Sequence, residues 1–147
     1  MSSDFNLAPV PIQYLDATWN DVSPLLRKAA LRSDGRWSIE AIRDEVYKGL
    51  QQLWIAYNHE ERIVNAFTTS VGNYPNRKVL SYMFMGGEEL MEHLDIIDKA
   101  VCEFAKLSGC DAIEIIGRIG FKKPGAKVGF NHIGSWFTKD LGDSLNE

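Results

Sequence analysis

The run from Val79 to Ile116 carries the clearest alternation of apolar and polar positions in the chain. Val79–Met85 is rich in β-prone residues, the double glycine Gly86-Gly87 follows, and a long amphipathic segment comes next. Within that segment Leu90, Leu94, Ile97, Val101 and Phe104 recur at alternating steps of four and three, which puts them on one stripe of a helix. Asp95, Asp98, Lys99, Glu103 and Lys106 fall off the stripe. Gly109 sits where a helix C-cap glycine belongs, and Ala112–Ile116 is a second β-prone run. Strand, turn, helix and strand in this order predict a crossover packed on a sheet. Its two strands should be parallel and joined in the right-handed sense.

Upstream, Val10–Leu15 alternates and predicts a first strand, confined to a sheet edge by Pro9 and Pro11. Ser23-Pro24 reads as an N-cap and first-turn proline for a helix through Arg32. A start nearer Trp19 and Val22 would instead leave Pro24 inside the helix, at a kink. Ser38 predicts the cap of a second helix, with Glu40 favourable in its first turn and Ile39, Ile42 and Val46 toward the core. Leu53–Tyr57 and Arg62–Val71, around the polar turn Asn58–Glu61, read as a hairpin, and Lys78–Met85 is the next strand. After Ile116 come a glycine- and lysine-bearing stretch with Pro124, a loosely alternating run Phe130–Thr138 that predicts a last strand, and the tail Leu141–Glu147. This order predicts one α+β domain over residues 1–147, with a mixed, mostly antiparallel sheet.

Composition narrows the partners. A chain of 147 residues suits one domain with a real core. The formal net charge is −4 with no basic run, which argues against a nucleic-acid partner. No apolar run approaches the roughly 20 residues that span a bilayer, and Met1–Val10 lacks the basic and apolar regions of a secretory signal. Cys102 and Cys110 are expected as small reduced hydrophobes of a cytosolic protein, and His59, His93 and His132 are too scattered for a metal set. Met1–Pro9 is loose by composition; if it is ordered, Phe5, Leu7 and Val10 are candidate anchors on a neighbouring protein.

The element order, with a glycine turn between the fourth strand and the third helix, resembles the GCN5-related N-acetyltransferase (GNAT) superfamily over nearly the whole chain. Within it, Gln52-Leu53-Trp54-Ile55-Ala56, Met85-Gly86-Gly87-Glu88-Glu89-Leu90, Gly109-Cys110-Asp111, Glu114-Ile115-Ile116-Gly117-Arg118 and Phe137-Thr138-Lys139-Asp140-Leu141 are similar to small GNAT-like proteins encoded in tailed-phage genomes. The resemblance implies a three-layer fold with helices on both sides of the sheet, and it leaves two functional readings. In the first, the chain is a catalytically degenerate GNAT-fold protein that acts by binding other proteins. It would be a phage virion or morphogenesis component, in the virion or host cytoplasm, with no cofactor expected and a homo-oligomer left open. In the second, it is an acetyl-CoA-dependent N-acetyltransferase.

In that family the turn after the fourth strand holds the pyrophosphate of acetyl-CoA on backbone N–H groups, at the positive end of the next helix. The matching positions here are Met85, Gly86, Gly87 and Glu88. The family's arginine or glutamine is absent, and Glu88 and Glu89 stand in the expected first turn. Each carboxylate there would repel a pyrophosphate by about 3 kcal/mol at roughly 6 Å and an effective dielectric of 20. No tyrosine follows Tyr82 to serve as the family's general acid, and Phe121 and Phe130 have no proton to give. Glu114, alternating with Ala112 and Ile116 on a strand expected to be central, is the candidate general base. Its structural alternative is a paired carboxylate, with Arg118 as one partner. His59 and His132 read as solvated.

Overall fold

The computed structural model describes residues 5–142, so Met1–Asp4 of the loose N-terminal segment and Asp143–Glu147 of the tail lie outside the described residues. The first helix, α1, spans Leu15–Leu31 and contains Pro24. Leu15, Trp19, Val22, Leu26 and Ala30 are all buried along one stripe of it. Burying five such side chains outweighs the roughly 3 kcal/mol that an interior proline costs. The helix therefore starts well before Ser23, and the expected strand over Val10–Leu15 does not form. The first strand, β1, is Asn6–Pro9 at the sheet edge, and Ile12–Tyr14 makes a 3-10 turn into α1. In α2, Ile39–Tyr47, Ser38 is the N-cap: its hydroxyl accepts the Ala41 N–H at 3.1 Å.

Next come β2 (Gln52–Tyr57), β3 (Ile63–Asn73), β4 (Lys78–Gly87), α3 (Leu94–Leu107), β5 (Ala112–Ile115) and a short α4 (Lys122–Lys127). The sheet order is β1-β2-β3-β4-β5. The first three pairings are antiparallel, while β4 and β5 are parallel across α3, as the crossover pattern predicts. Helices α1 and α2 bury their stripes with Leu53, Ala66 and Phe84 on one face. On the other face Ile97, Val101 and Ala105 of α3 pack with Trp54, Phe67, Leu80 and Tyr82. The result is the three-layer α+β arrangement.

Two expectations fail at the ends of the chain. Phe5 and Leu7 join the α3-side core and Val10 the α1-side core, so they anchor to this chain rather than a neighbour. The Phe5 ring stacks on His93 at 4.0 Å. No strand forms over Phe130–Thr138, and β5 ends the sheet. The Phe130 N–H is held by the Gly125 carbonyl just past α4, and Gly129 adopts φ +94°. The chain is thereby redirected toward the α1–α2 turn, where Trp136 packs under the Arg36 guanidinium at 4.8 Å.

Candidate active-site cleft

Strand β4 outruns its parallel neighbour. The last β4–β5 pair is Tyr82 with Ile115, yet Met85, Gly86 and Gly87 still pair with Phe67, Ala66 and Asn65 of β3. The strand is also bulged where the two part. Thr69 lies opposite Tyr82 and Phe67 opposite Met85, so Thr68 alone faces both Met83 and Phe84. A bulge of this kind takes one residue out of the ladder and re-aims the backbone. A cavity of about 510 Å³ opens at this point on the α1–α2 side. It is bounded by Tyr82–Met85, by Ile116–Arg118 and by the α1–α2 turn, with Trp136 over it. That volume falls within the range of small-molecule sites.

At the far end of β4 the two glycines are ladder residues, not the turn the sequence suggested. A Cβ on Gly86 would overlap the Leu25 carbonyl of α1. Gly87 has φ +136°, and a Cβ there would overlap Asn65 Oδ1 and the Val64 carbonyl. The turn comes next. The Glu88 N–H is held by the Val64 carbonyl, the Asn65 side-chain amide donates to the Glu88 carbonyl at 2.9 Å, and Glu89 is left-handed at φ +52°. A left-handed residue cannot continue an α-helix, so a 3-10 turn at Met91–His93 intervenes and α3 begins only at Leu94. Glu88 and Glu89 are therefore not in its first turn. Among the described residues the N–H groups of Glu89, Leu90 and Met91 find no acceptor. Successive amides of this kind form an anion-binding concavity.

The repulsion expected from Glu88 is reduced by Arg62, which reaches its carboxylate at 3.3 Å. His93 Nε2 lies 3.7 Å from the Glu89 carboxylate. Sequence reasoning missed Arg62, because it comes from the start of the hairpin's return strand. Only the β3–β4 register brings the two together.

Glu114 is exposed on β5, and its carboxylate accepts the Ser81 hydroxyl at 3.0 Å. Arg118 is not its partner. Leu80 and Tyr82 point toward α3, so Ser81 and Glu114 face the α1–α2 side. Glu114 does not line the cavity, but Ile116, two residues further along the same face, does. Tyr82 is buried and donates to Asp98 Oδ1 of α3 at 2.8 Å. Burial first, and then the Asp98 carboxylate, push its phenol far above the ordinary tyrosine range. The Cys102 thiol donates weakly to the other Asp98 oxygen at 3.5 Å and is pushed up by burial and then by Asp98. Phe121 and Phe130 meet edge-to-face at 5.5 Å, and Phe130 lies 6.4 Å from Tyr82.

His132 is exposed, and His59 lies in the β2–β3 turn 3.7 Å from the Glu60 carboxylate. Among the described residues no group of three or more His, Cys, Asp and Glu could hold a metal, and no helix is long and apolar enough to cross a membrane.

No protein-family model matches this sequence, and no curated protein matches it. Solved structures do match in three dimensions. An acetyltransferase of Trypanosoma brucei shares 16% identity at a TM-score of 0.68, covering 94% of this chain and 100% of that one. Glucosamine-6-phosphate N-acetyltransferase from Arabidopsis thaliana shares 13% at a TM-score of 0.66, covering 93% and 98%. A predicted acetyltransferase from Clostridium acetobutylicum, solved with acetyl-CoA, shares 16% at a TM-score of 0.63, covering 97% and 98%. This mixed five-stranded sheet with its flanking helices is the fold of the GNAT acetyltransferases.

Proposed function

We propose that this chain is an acetyl-CoA-dependent N-acetyltransferase. One observation carries the reading: the bulge in β4 falls where β4 and β5 part, beside the cavity, on the strand that leads to the acceptor-free amides at Glu89–Met91. Those amides suit a pyrophosphate, and Met85, Gly86, Gly87 and Glu88 form the backbone path between them and the bulge. Asn65 fixes the turn through the Glu88 carbonyl, and Arg62 offsets the Glu88 charge. When bound, acetyl-CoA supplies an acetyl group on a thioester carbon. The backbone at the Met83–Phe84 bulge, past the last β4–β5 pair, would orient that group toward the cavity, which would receive the amine. Glu114 takes the amine's proton through water from its place beside Ile116. The lack of a tyrosine after β5 is no obstacle, because a thiol titrates near 8.5 and water suffices to protonate it. The test is release of free thiol from acetyl-CoA by the purified chain in the presence of primary amines. Turnover that depends on both supports the reading; an inert protein across a broad amine panel counts against it.

In a second reading the chain is a GNAT-fold protein of a phage particle that acts by binding other proteins, and one observation favours the binding alone. Ile133, Phe137 and Leu141 are each more than four-fifths exposed on a segment without helix or strand. Its test is sedimentation with intact particles from an infected lysate. Protein found only at the top of the gradient would oppose it.

A further inference from the structure

The cavity beside the β4 bulge is positively charged in a chain whose net charge is −4. Its ionisable rim consists of Arg32, Arg36 and Arg118 against the single carboxylate Asp34, apart from the buried Tyr82 phenol. Arg36 is committed: it lies 3.4 Å from Asp34 and from the Ser33 carbonyl, and its guanidinium covers the Trp136 ring. Arg32 and Arg118 reach no carboxylate among the described residues. They come to the cavity from different elements, Arg32 from just past the end of α1 and Arg118 from just past β5. Trp37 and Phe84, in edge-to-face contact at 5.5 Å, and Trp136 line the same cavity. Apolar walls lower the local dielectric and strengthen any ion pair made there. A guanidinium presents a planar fork that fits a carboxylate or phosphate with two parallel hydrogen bonds.

Resting on the acetyltransferase reading, we infer that the acceptor is an amine that also carries an anionic group, a carboxylate or a phosphate, held by Arg32 and Arg118. The anion fixes one end of the acceptor at the mouth, and the amine is left to face the bulge. The pyrophosphate site does not explain these two arginines. The free amides at Glu89–Met91 lead into α3, which packs on the other face of the sheet.

The experiment is a calorimetric titration of the full chain saturated with coenzyme A, so that the amide turn is filled. Matched pairs serve as probes: phenylalanine against phenethylamine, and phosphoethanolamine against ethanolamine. The expected result is that the anionic member of at least one pair binds at least tenfold tighter than its neutral partner. Which pair responds distinguishes carboxylate from phosphate. Arg32→Glu with Arg118→Glu should abolish that preference while coenzyme A binding persists; both side chains are exposed, so the fold should tolerate the change. Equal binding within both pairs, no binding of any probe at 10 mM, or a preference that survives the double substitution would each overturn the inference. Failure of coenzyme A itself to bind would instead strike the underlying acetyltransferase reading.

Discussion

The carbonyl oxygen of Leu25 stands where a side chain on Gly86 would have to begin. Helix α1 thus rests with its backbone against the end of β4. Gly86 is a glycine because a helix lies on it. Its place in a glycine pair, which suggested a phosphate turn, has this separate cause.

Gly86→Ala should therefore destabilise the fold. The Cβ cannot be accommodated unless backbone moves, and overpacking of this kind costs about 1–3 kcal/mol or more. Chemical denaturation should show a lower midpoint with an unchanged slope.

Tyr82 should make stability fall in alkali. Its phenol keeps its proton in the fold well above the ordinary range, through burial and the Asp98 carboxylate. An unfolded tyrosine titrates near 10. The contribution is whole below that pH and declines as pH rises above it, by up to about 1.4 kcal/mol per pH unit. Tyr82→Phe should flatten that alkaline decline. At neutral pH it should cost about 1–3 kcal/mol, because Asp98 loses its buried donor. Urea melts of both proteins from pH 8 to pH 11 check both effects.

Thr68 faces the bulge, is fully buried, and its hydroxyl has no partner among the described residues. Replacing it by valine keeps the shape and removes an unsatisfied group. Thr68→Val should raise stability by about 1 kcal/mol, read as a higher melting temperature.

Most of the sheet was legible because period-two runs and turn residues are local signals. The hairpin, the parallel β4–β5 pair, the α3 stripe and the Ser38 cap follow from them. The misses all came from tertiary contacts overriding local preference. Pro24 looked like a helix start until the stripe from Leu15 to Ala30 was buried. Glu88 and Glu89 looked like a helix start until Asn65 and a left-handed Glu89 held the chain in a turn. The run Phe130–Thr138 has strand composition, yet contact with Arg36 draws it to the α1–α2 turn. That Arg32 and Arg118 line one cavity was invisible for the same reason, since they share it only in the folded chain.

Glu114→Gln should lower kcat for acetyl transfer by about 100-fold or more, the usual contribution of a positioned base. KM should change little, since Glu114 does not line the cavity. Ser81→Ala removes only the hydrogen bond that orients the carboxylate, and should have a smaller effect. Steady-state kinetics with the preferred amine, across pH, would check this; unchanged kcat in Glu114→Gln would assign the proton to another group.

The most direct measurement is a nitrogen-15 NMR titration of the chain with acetyl-CoA. The account predicts saturable, micromolar shifts centred on the amides of Glu89, Leu90 and Met91 and running down β4 to Phe84. Amides at that turn unmoved at millimolar acetyl-CoA would contradict it.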